Sequence, residues 1–385
     1  MNKSLLIKNA QVMTTTDQWP QGWLLCRERQ IALMGAGEMP DLDADETIDA
    51  RGLILLPGFI DVHVHGAIGH EMMDATHDAL RTLAQFYARN GVTGFLASTW
   101  TESREAIMTA LEMVAKLQGP QPDGANILGA HLEGPYLNVL RCGAQNPIYF
   151  RPAEREEALP FLDLNIIRLL AIAPEIEANH WLIDECVRRG ITVSVAHTNA
   201  TYEQTKKVVA LGVTHATHTF NAMIGLNHRD PGTVGAVLTS PEVNCELIAD
   251  NIHVHPAAMQ ILSAAKGPDR VVLITDAVRG AGMGDVEYDM DKRRVVVRDG
   301  AVRLPDGTLA GSTLTLNRGL YNFMCATGQP LKAVWQTSSL NAARAIHLSD
   351  RKGSLEVGKD ADLVLVDEQI NVYVTIVDGQ VVYRK

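Results

Sequence analysis

The residues best suited to chemistry in this chain are His63 and His65, in the run Gly58-Phe59-Ile60-Asp61-Val62-His63-Val64-His65-Gly66. Positions i and i+2 of a strand share a face. The pair can therefore present two imidazoles side by side to a divalent metal. An isolated His-x-His is a weak signal, and its weight here comes from candidates that close later strand-like runs. His131 and Glu133 end one run in His131-Leu132-Glu133-Gly134-Pro135. His197 ends another, His215 and His218 lie on the next, and Asp276 closes the last in Leu273-Ile274-Thr275-Asp276-Ala277. Imidazoles with carboxylates suit zinc, iron or manganese better than calcium or magnesium. Taken singly, each histidine reads as structural or surface, and Asp276 as a helix N-cap. Their joint placement at strand ends is much harder to assign to chance and favours a metal centre.

The elements that must carry these residues alternate. Strand-like runs at 58–65, 93–99, 127–132, 166–173, 191–197, 214–220, 244–249 and 271–275 are separated by helix-period segments. The segment 79–90 places Leu80, Leu83, Ala84 and Tyr87 on one face before Gly91. Segments 104–117, 180–189 (with Leu182, Ile183, Cys186 and Val187 together) and 202–211 behave alike. This alternation predicts an α/β fold, a (β/α)8 TIM-type barrel whose chemistry lies at the C-terminal ends of its strands. The alternative, a doubly wound open sheet, lacks a GxGxxG after the first strand.

The two chain ends carry short alternating strands that cannot bury a sheet face alone. They are read as one small β-sandwich domain, residues 1–55 plus 357–385, beside a barrel of residues 56–356. A β insertion at about 285–311 has turns at Asp299-Gly300 and Asp306-Gly307.

At 385 residues the chain can bury a large core, and 46% hydrophobic with 21% charged residues is ordinary for a globular protein. A net charge of −11 argues against nonspecific nucleic-acid binding and against an anionic membrane surface, while leaving room for an anionic small substrate. The five cysteines are widely spaced and form no CxxC, so neither a disulfide framework nor a thiolate zinc site is expected. The N-terminus lacks a signal-peptide core and no stretch is apolar enough to span a bilayer, so the expected setting is cytoplasmic.

The order of these motifs resembles the amidohydrolase superfamily and, within it, the N-acetylglucosamine-6-phosphate deacetylase family. The resemblance rests on Pro57-Gly58-Phe59-Ile60-Asp61-Val62-His63, His131-Leu132-Glu133-Gly134-Pro135, Ala196-His197-Thr198-Asn199-Ala200, His218-Thr219-Phe220-Asn221-Ala222-Met223, Asp250-Asn251-Ile252-His253, Thr275-Asp276-Ala277 and Gly311-Ser312-Thr313-Leu314. It implies that Glu133, His197 and His218 hold the main metal, with His63 and His65 at a second position. One or two divalent ions per subunit are expected, zinc first among them. No lysine lies near the end of strand four to bridge two metals, and Glu133 can take that role. The resemblance assigns Asn221 and Ala222 to the phosphate end, His253 to a substrate contact, and Arg229 to the substrate of a neighbouring subunit, hence a homodimer. Two residues depart from the family pattern. Gln145 stands where many relatives have histidine, and as an amide it can donate but not titrate. Asn251 stands where glycine is usual, which would narrow the sugar pocket. His215, three residues from His218, would face the other side of a regular strand and is read as structural support.

The expected activity is metal-dependent hydrolysis of the N-acetyl group of an N-acetylhexosamine 6-phosphate, with Asp276 moving the proton and Gln145 donating to the developing oxyanion. The gluco substrate is preferred over the galacto one. The alternatives are another amidohydrolase, such as an N-acyl-amino-acid deacylase or cyclic amidase, and a non-catalytic sugar-phosphate sensor, which would have no need of Asp276.

Overall fold

Eight strand segments rich in aliphatic residues assemble into one parallel sheet, described here from a computed structural model covering residues 4–290 and 293–385. They are β1 (Phe59–Val64), β2 (Val92–Ser98), β3 (Asn126–Leu132), β4 (Ile167–Ile172), β5 (Thr192–Val195), β6 (His215–Ala216), β7 (Asn244–Ile248) and β8 (Val271–Ile274). Each pairs with its sequence neighbour. The circle closes where Val64 bridges Ala277, with Asp276 N donating to His63 O at 2.9 Å and His65 N to Ala277 O at 2.8 Å. This is the (β/α)8 barrel the alternation predicts, and its closing seam lies at the site residues.

A helix follows every strand: α1 (His77–Arg89), α2 (Arg104–Leu117), α3 (Arg155–Asp163), α4 (His180–Arg188), α5 (Tyr202–Ala210), α6 (Gly232–Leu238), α7 (Pro256–Lys266) and α8 (Leu316–Thr327). Local chemistry sets their ends. The Thr76 hydroxyl accepts from Ala79 N to start α1, and a reciprocal Thr201–Gln204 cap starts α5. The buried face of α1 holds Leu80, Leu83, Ala84 and Tyr87. In α4, Leu182, Ile183 and Cys186 are buried, but Val187 is 47% exposed, because the apolar stripe is narrower than the sequence suggests.

Ile60, Val62, Leu96, Leu128, Leu169 and Val272 fill the barrel interior, and Ala342, Ala343 and Ile346 join the same cluster. Phe59 and Val64 belong instead to the larger cluster shared with the helices. The β1–β2 ladder slips between Asp61 and Val64. Such a slip re-aims side chains near a strand end. It reverses the alternation after Val62 and puts His63 and His65 on the interior side.

The chain ends build a second sheet. Leu5–Met13, Gln18–Arg27, Gln30–Ala36, Glu46–Asp49 and Ile54–Pro57 join Leu363–Val366, Val372–Val377 and Gln380–Arg384. The seam between the two ends is antiparallel, with Leu55 opposite Leu365 and Leu56 opposite Val364. Alternation then divides the side chains. Leu55, Leu363 and Leu365 pack with Leu5, Ile7 and Leu24 in a private core, whereas Leu56, Val364 and Val366 pack with the barrel helices. The two ends form one continuous hydrogen-bonded sheet around that core. After β8, four antiparallel strands (Val286–Met290, Arg293–Arg298, Ala301–Arg303, Leu309–Ser312) form the insertion. Among the described residues no helix is long and apolar enough to cross a membrane.

Candidate metal centre and active site

The carboxylate of Glu133, just past β3, lies between two histidine pairs. Its Oε1 is 3.3 Å from His197 Nε2, 3.2 Å from His218 Nε2 and 3.5 Å from His63 Nε2. Its Oε2 is 3.3 Å from His65 Nε2. Within the pairs, the Nε2 atoms of His63 and His65 are 3.2 Å apart, and those of His197 and His218 are 3.1 Å apart. Asp276 Oδ1 lies 3.2 Å from His65 Nε2 and 3.6 Å from His63 Nε2. All these side chains are buried or nearly so. Strand ends at the barrel mouth gather them, and His197, His218 and Asp276 adopt φ of 39°, 30° and 51°. Left-handed backbone at non-glycine residues is costly, and it concentrates at functional sites.

The donor set fits a divalent cation. His197 Nδ1 is 2.8 Å from the carbonyl of Arg141 and must donate to it, because a carbonyl only accepts. In the neutral ring, Nε2 then carries a lone pair aimed at the Glu133 carboxylate. His63 makes the corresponding contact at 3.0 Å to the Glu246 carboxylate. Lone pairs facing lone pairs repel unless a cation lies between them. Glu133 Oε1 has no hydrogen-bond donor despite complete burial. The field is negative here. Burial opposes protonation of His63, yet Glu133, Asp276 and Glu246 together drive its pKa well above the ordinary value. Glu133 shows the reverse, with burial outweighed by the surrounding imidazoles, so that it stays ionised. The residues form two sets, His63–His65–Glu133 and Glu133–His197–His218, that share Glu133.

Gln145 is 2% exposed, and its amide donates to Glu133 Oε2 at 2.7 Å while accepting from Thr101 N at 2.6 Å. It orients the central carboxylate as well as lining the cavity. Asn221, Ala222 and His253 also line this cavity of about 480 Å³, together with Trp100, Arg141, Asp306 and Thr308. His253 Nδ1 is held 2.7 Å from Asp250 Oδ2.

Arg229, expected to serve a neighbouring subunit's substrate, is exposed and is not among this chain's cavity residues; its backbone N donates to Asn227 Oδ1. Two expectations change. Asn251 is exposed, does not line the cavity, and adopts φ 65°, so this position answers to backbone conformation rather than to pocket width. Asparagine tolerates that region better than most residues. Strand six spans His215–Ala216 instead of 214–220, and His218 sits in the turn beyond it, so strand parity does not relate the two histidines. His215 is nonetheless turned away from the cluster, toward Glu246 at 3.1 Å. Asp276 caps no helix, since the next helix after β8 is α8, with Thr315 as its N-cap.

Sequence reasoning passed over Glu246, Trp100 and Asp61. Glu246, fully buried in β7, interrupts the apolar run Cys245-Glu246-Leu247-Ile248, and a lone carboxylate inside a strand core was the available signal. Trp100 follows β2 and stacks on His65 with centroids 3.9 Å apart and planes 16° off parallel. Asp61 accepts from Thr275 Oγ1 at 2.7 Å across the closing seam, and burial pushes its pKa up to about 7. His131 lies beneath the cluster, 3.1 Å from Ser98 Oγ, and burial with the charge of His63 lowers it to about 3.

An eight-stranded barrel with paired histidines and an aspartate at its strand ends defines a hydrolase class, and residues 54–382 match the amidohydrolase family, to which this chain belongs. More narrowly, it is 42% identical over 331 residues to the N-acetylglucosamine-6-phosphate deacetylase of Vibrio furnissii, covering 86% of this chain and 83% of that one. It is 37% identical over 365 residues to the N-acetylgalactosamine-6-phosphate deacetylase of Escherichia coli O157:H7, covering 94% and 96%. Among solved structures, it superposes with a TM-score of 0.91 and 32% identity on a mutant N-acetyl-D-glucosamine-6-phosphate deacetylase from Mycobacterium smegmatis in complex with N-acetyl-D-glucosamine-6-phosphate, covering 98% of this chain and 99% of that one.

Proposed function

We propose that this chain is a metal-dependent deacetylase that hydrolyses N-acetyl-D-glucosamine 6-phosphate to the amino sugar phosphate and acetate. The observation that carries the reading is the Glu133 carboxylate between His63–His65 and His197–His218, with Asp276 facing the same point at the wall of the cavity. Glu133, His197 and His218 would hold the main metal, and His63 and His65 a second with Glu133 shared. Zinc is the first choice, with iron or manganese next. A divalent cation held there supplies Lewis acidity to the acetyl carbonyl and acidifies a bound water.

The chain's own groups do the rest. Burial works against the charge of Asp276, but the His63 and His65 imidazoles hold its pKa below the usual carboxylate value. It is therefore ionised and ready to take a proton from the attacking water and return it to the departing nitrogen. Gln145 keeps the Glu133 carboxylate turned inward, and its cavity-side position suits it to donate to the developing oxyanion. Asn221, Ala222 and His253 are assigned to the phosphate and sugar. Arg229 is assigned to the neighbouring subunit's phosphate in a cytoplasmic homodimer. The same reading divides the chain into a small β domain, 1–55 plus 357–385, and a hydrolase barrel, 56–356.

The relative named for the galactosamine substrate makes the C4 epimer the second reading. Acetate release is the test, measured on both N-acetylhexosamine 6-phosphates and on their dephosphorylated forms, with metal content determined on the same sample. Turnover should require metal and phosphate and favour the gluco epimer. Equal turnover of the unphosphorylated sugars would remove the assignment.

A further inference from the structure

We propose that Glu246 is a positioning residue that fixes His63 as a ligand of the second metal position and ties that position to the first. The inference rests on the two-metal reading above. Glu246 is fully buried in β7 and lies outside both candidate ligand sets. Its carboxylate faces three donors. Oε2 is 3.0 Å from His63 Nδ1 and accepts from the backbone N of His218 at 3.1 Å. Oε1 is 3.1 Å from His215 Nε2. A single oxygen therefore holds the imidazole of one position and the backbone of a ligand of the other.

The chemistry of the three neighbours explains why a carboxylate suits this position. A carboxylate accepts at both oxygens, whereas an amide offers one acceptor oxygen and one donor nitrogen. With Nδ1–H engaged by Glu246, His63 exposes its Nε2 lone pair toward Glu133 and Asp276. His215 closes the far side. Its ring is buried and it turns Nε2 to Glu246, which places it as the second clamp on that carboxylate. A glutamine keeps His63 and His218 N only with its oxygen toward them and its amide nitrogen on His215, whose ring must then accept at Nε2 and carry its proton on Nδ1; the other orientation sets the amide nitrogen against His63 Nδ1 and favours the wrong tautomer. Leucine, of similar size and without an acceptor, removes the support outright. Partners of this kind, behind a metal-bound histidine, are worth roughly 10–100-fold in metal affinity.

The test compares zinc stoichiometry and zinc affinity of wild type, Glu246→Leu and the double variant His63→Ala/His65→Ala. Glu246→Leu should fall from about two zinc per chain to about one, with the weaker position loosened roughly 10–100-fold. The double variant should lose the same equivalent. Full zinc content at wild-type affinity in Glu246→Leu, while the double variant loses one equivalent, overturns the role of Glu246 and leaves the two-metal reading standing. A wild type holding one zinc that the double variant also keeps overturns both. Should Glu246→Leu fail to fold, ¹⁵N NMR of histidine-labelled, zinc-loaded wild type reads the tautomer without a substitution at 246. His63 should carry its proton on Nδ1 with Nε2 bound to metal. A proton on His63 Nε2 overturns the inference.

Discussion

At the scale of single residues, Asp276 has the least ambiguous task. It caps no helix, it faces His65 and His63, and its negative charge is sustained by the imidazoles against its own burial. Asp276→Asn keeps the shape and removes the base. Turnover should fall by roughly 10²-fold or more, the scale of a general acid–base group. Metal content should hold, since both ligand sets are complete without Asp276. Single-turnover acetate release with metal analysis checks this, and near-normal turnover in the metal-loaded variant would rule out the proton shuttle. The residues that proved legible in the sequence were those whose type alone announces chemistry: His63, His65, Glu133, His197, His218 and Asp276 all converge within a few ångströms. Glu246 and Trp100 were not legible, because their roles lie in what they touch. A buried glutamate announces a partner without naming it, and a tryptophan after a strand reads as core until its ring is seen on His65.

At the scale of elements, the insertion is fastened to the catalytic seam. Ser312 N donates to Asp276 O at 2.8 Å, and Val278 N to Ser312 O at 3.1 Å, so the last insertion strand continues the barrel rim. Gly311 permits that contact. It adopts φ 69°, and a Cβ there would lie 2.3 Å from Val278 Cγ1 and 2.9 Å from Asp276 O. Gly311→Ala should therefore displace the Asp276 backbone. We expect a loss of about 1–3 kcal/mol from overpacking, read by denaturant unfolding, together with a fall in turnover. An Ala variant with unchanged stability and rate would show that the rim is free to adjust. The periodic patterns behind β1–β8 and α1, α2, α4 and α5 were legible, because burial on one face imposes a period that sequence displays directly. The end of strand six was not. Thr217, His218, Thr219 and Phe220 alternate like a strand, but the turn at His218 (φ 30°) is imposed by Glu246 and the barrel rim, which are contacts distant in sequence. The slip in β1 that turns His63 inward was hidden for the same reason.

At the scale of the whole molecule, two junctions matter: the one between sheet and barrel, and the one expected between subunits. The first is held by Lys352, 2.9 Å from Asp360 and 2.5 Å from Asp362, where the chain turns back into the terminal sheet. Gly58 N donates to Asp362 O beside it, so β1 starts from the same clasp. Lys352→Met leaves the buried Asp362 carboxylate without its cation, while Asp360 keeps Arg351 at 3.0 Å. Breaking one side of a buried ion pair costs about 3–5 kcal/mol, so the midpoint of unfolding should drop clearly while any residual folded enzyme keeps its metal. The second junction concerns Arg229. Within one chain it is exposed and outside the cavity, on the loop His228-Arg229-Asp230-Pro231-Gly232 that leads into α6. The cavity-side Asn221 and Ala222 lie on the same β6–α6 connection. If Arg229 serves a neighbouring subunit's phosphate, Arg229→Ala removes a charge-assisted contact worth ~1.5–3 kcal/mol. The specificity constant for the phosphorylated sugar should then fall about 10- to 100-fold, with little change for the unphosphorylated one. Mixing Arg229→Ala with Asp276→Asn gives the decisive result. In a mixed dimer one site combines an intact Asp276 with an intact Arg229 from its partner, so activity should partly return once subunits exchange. Verified mixed dimers without recovery, or full activity in a monomer, would place Arg229 outside the reaction.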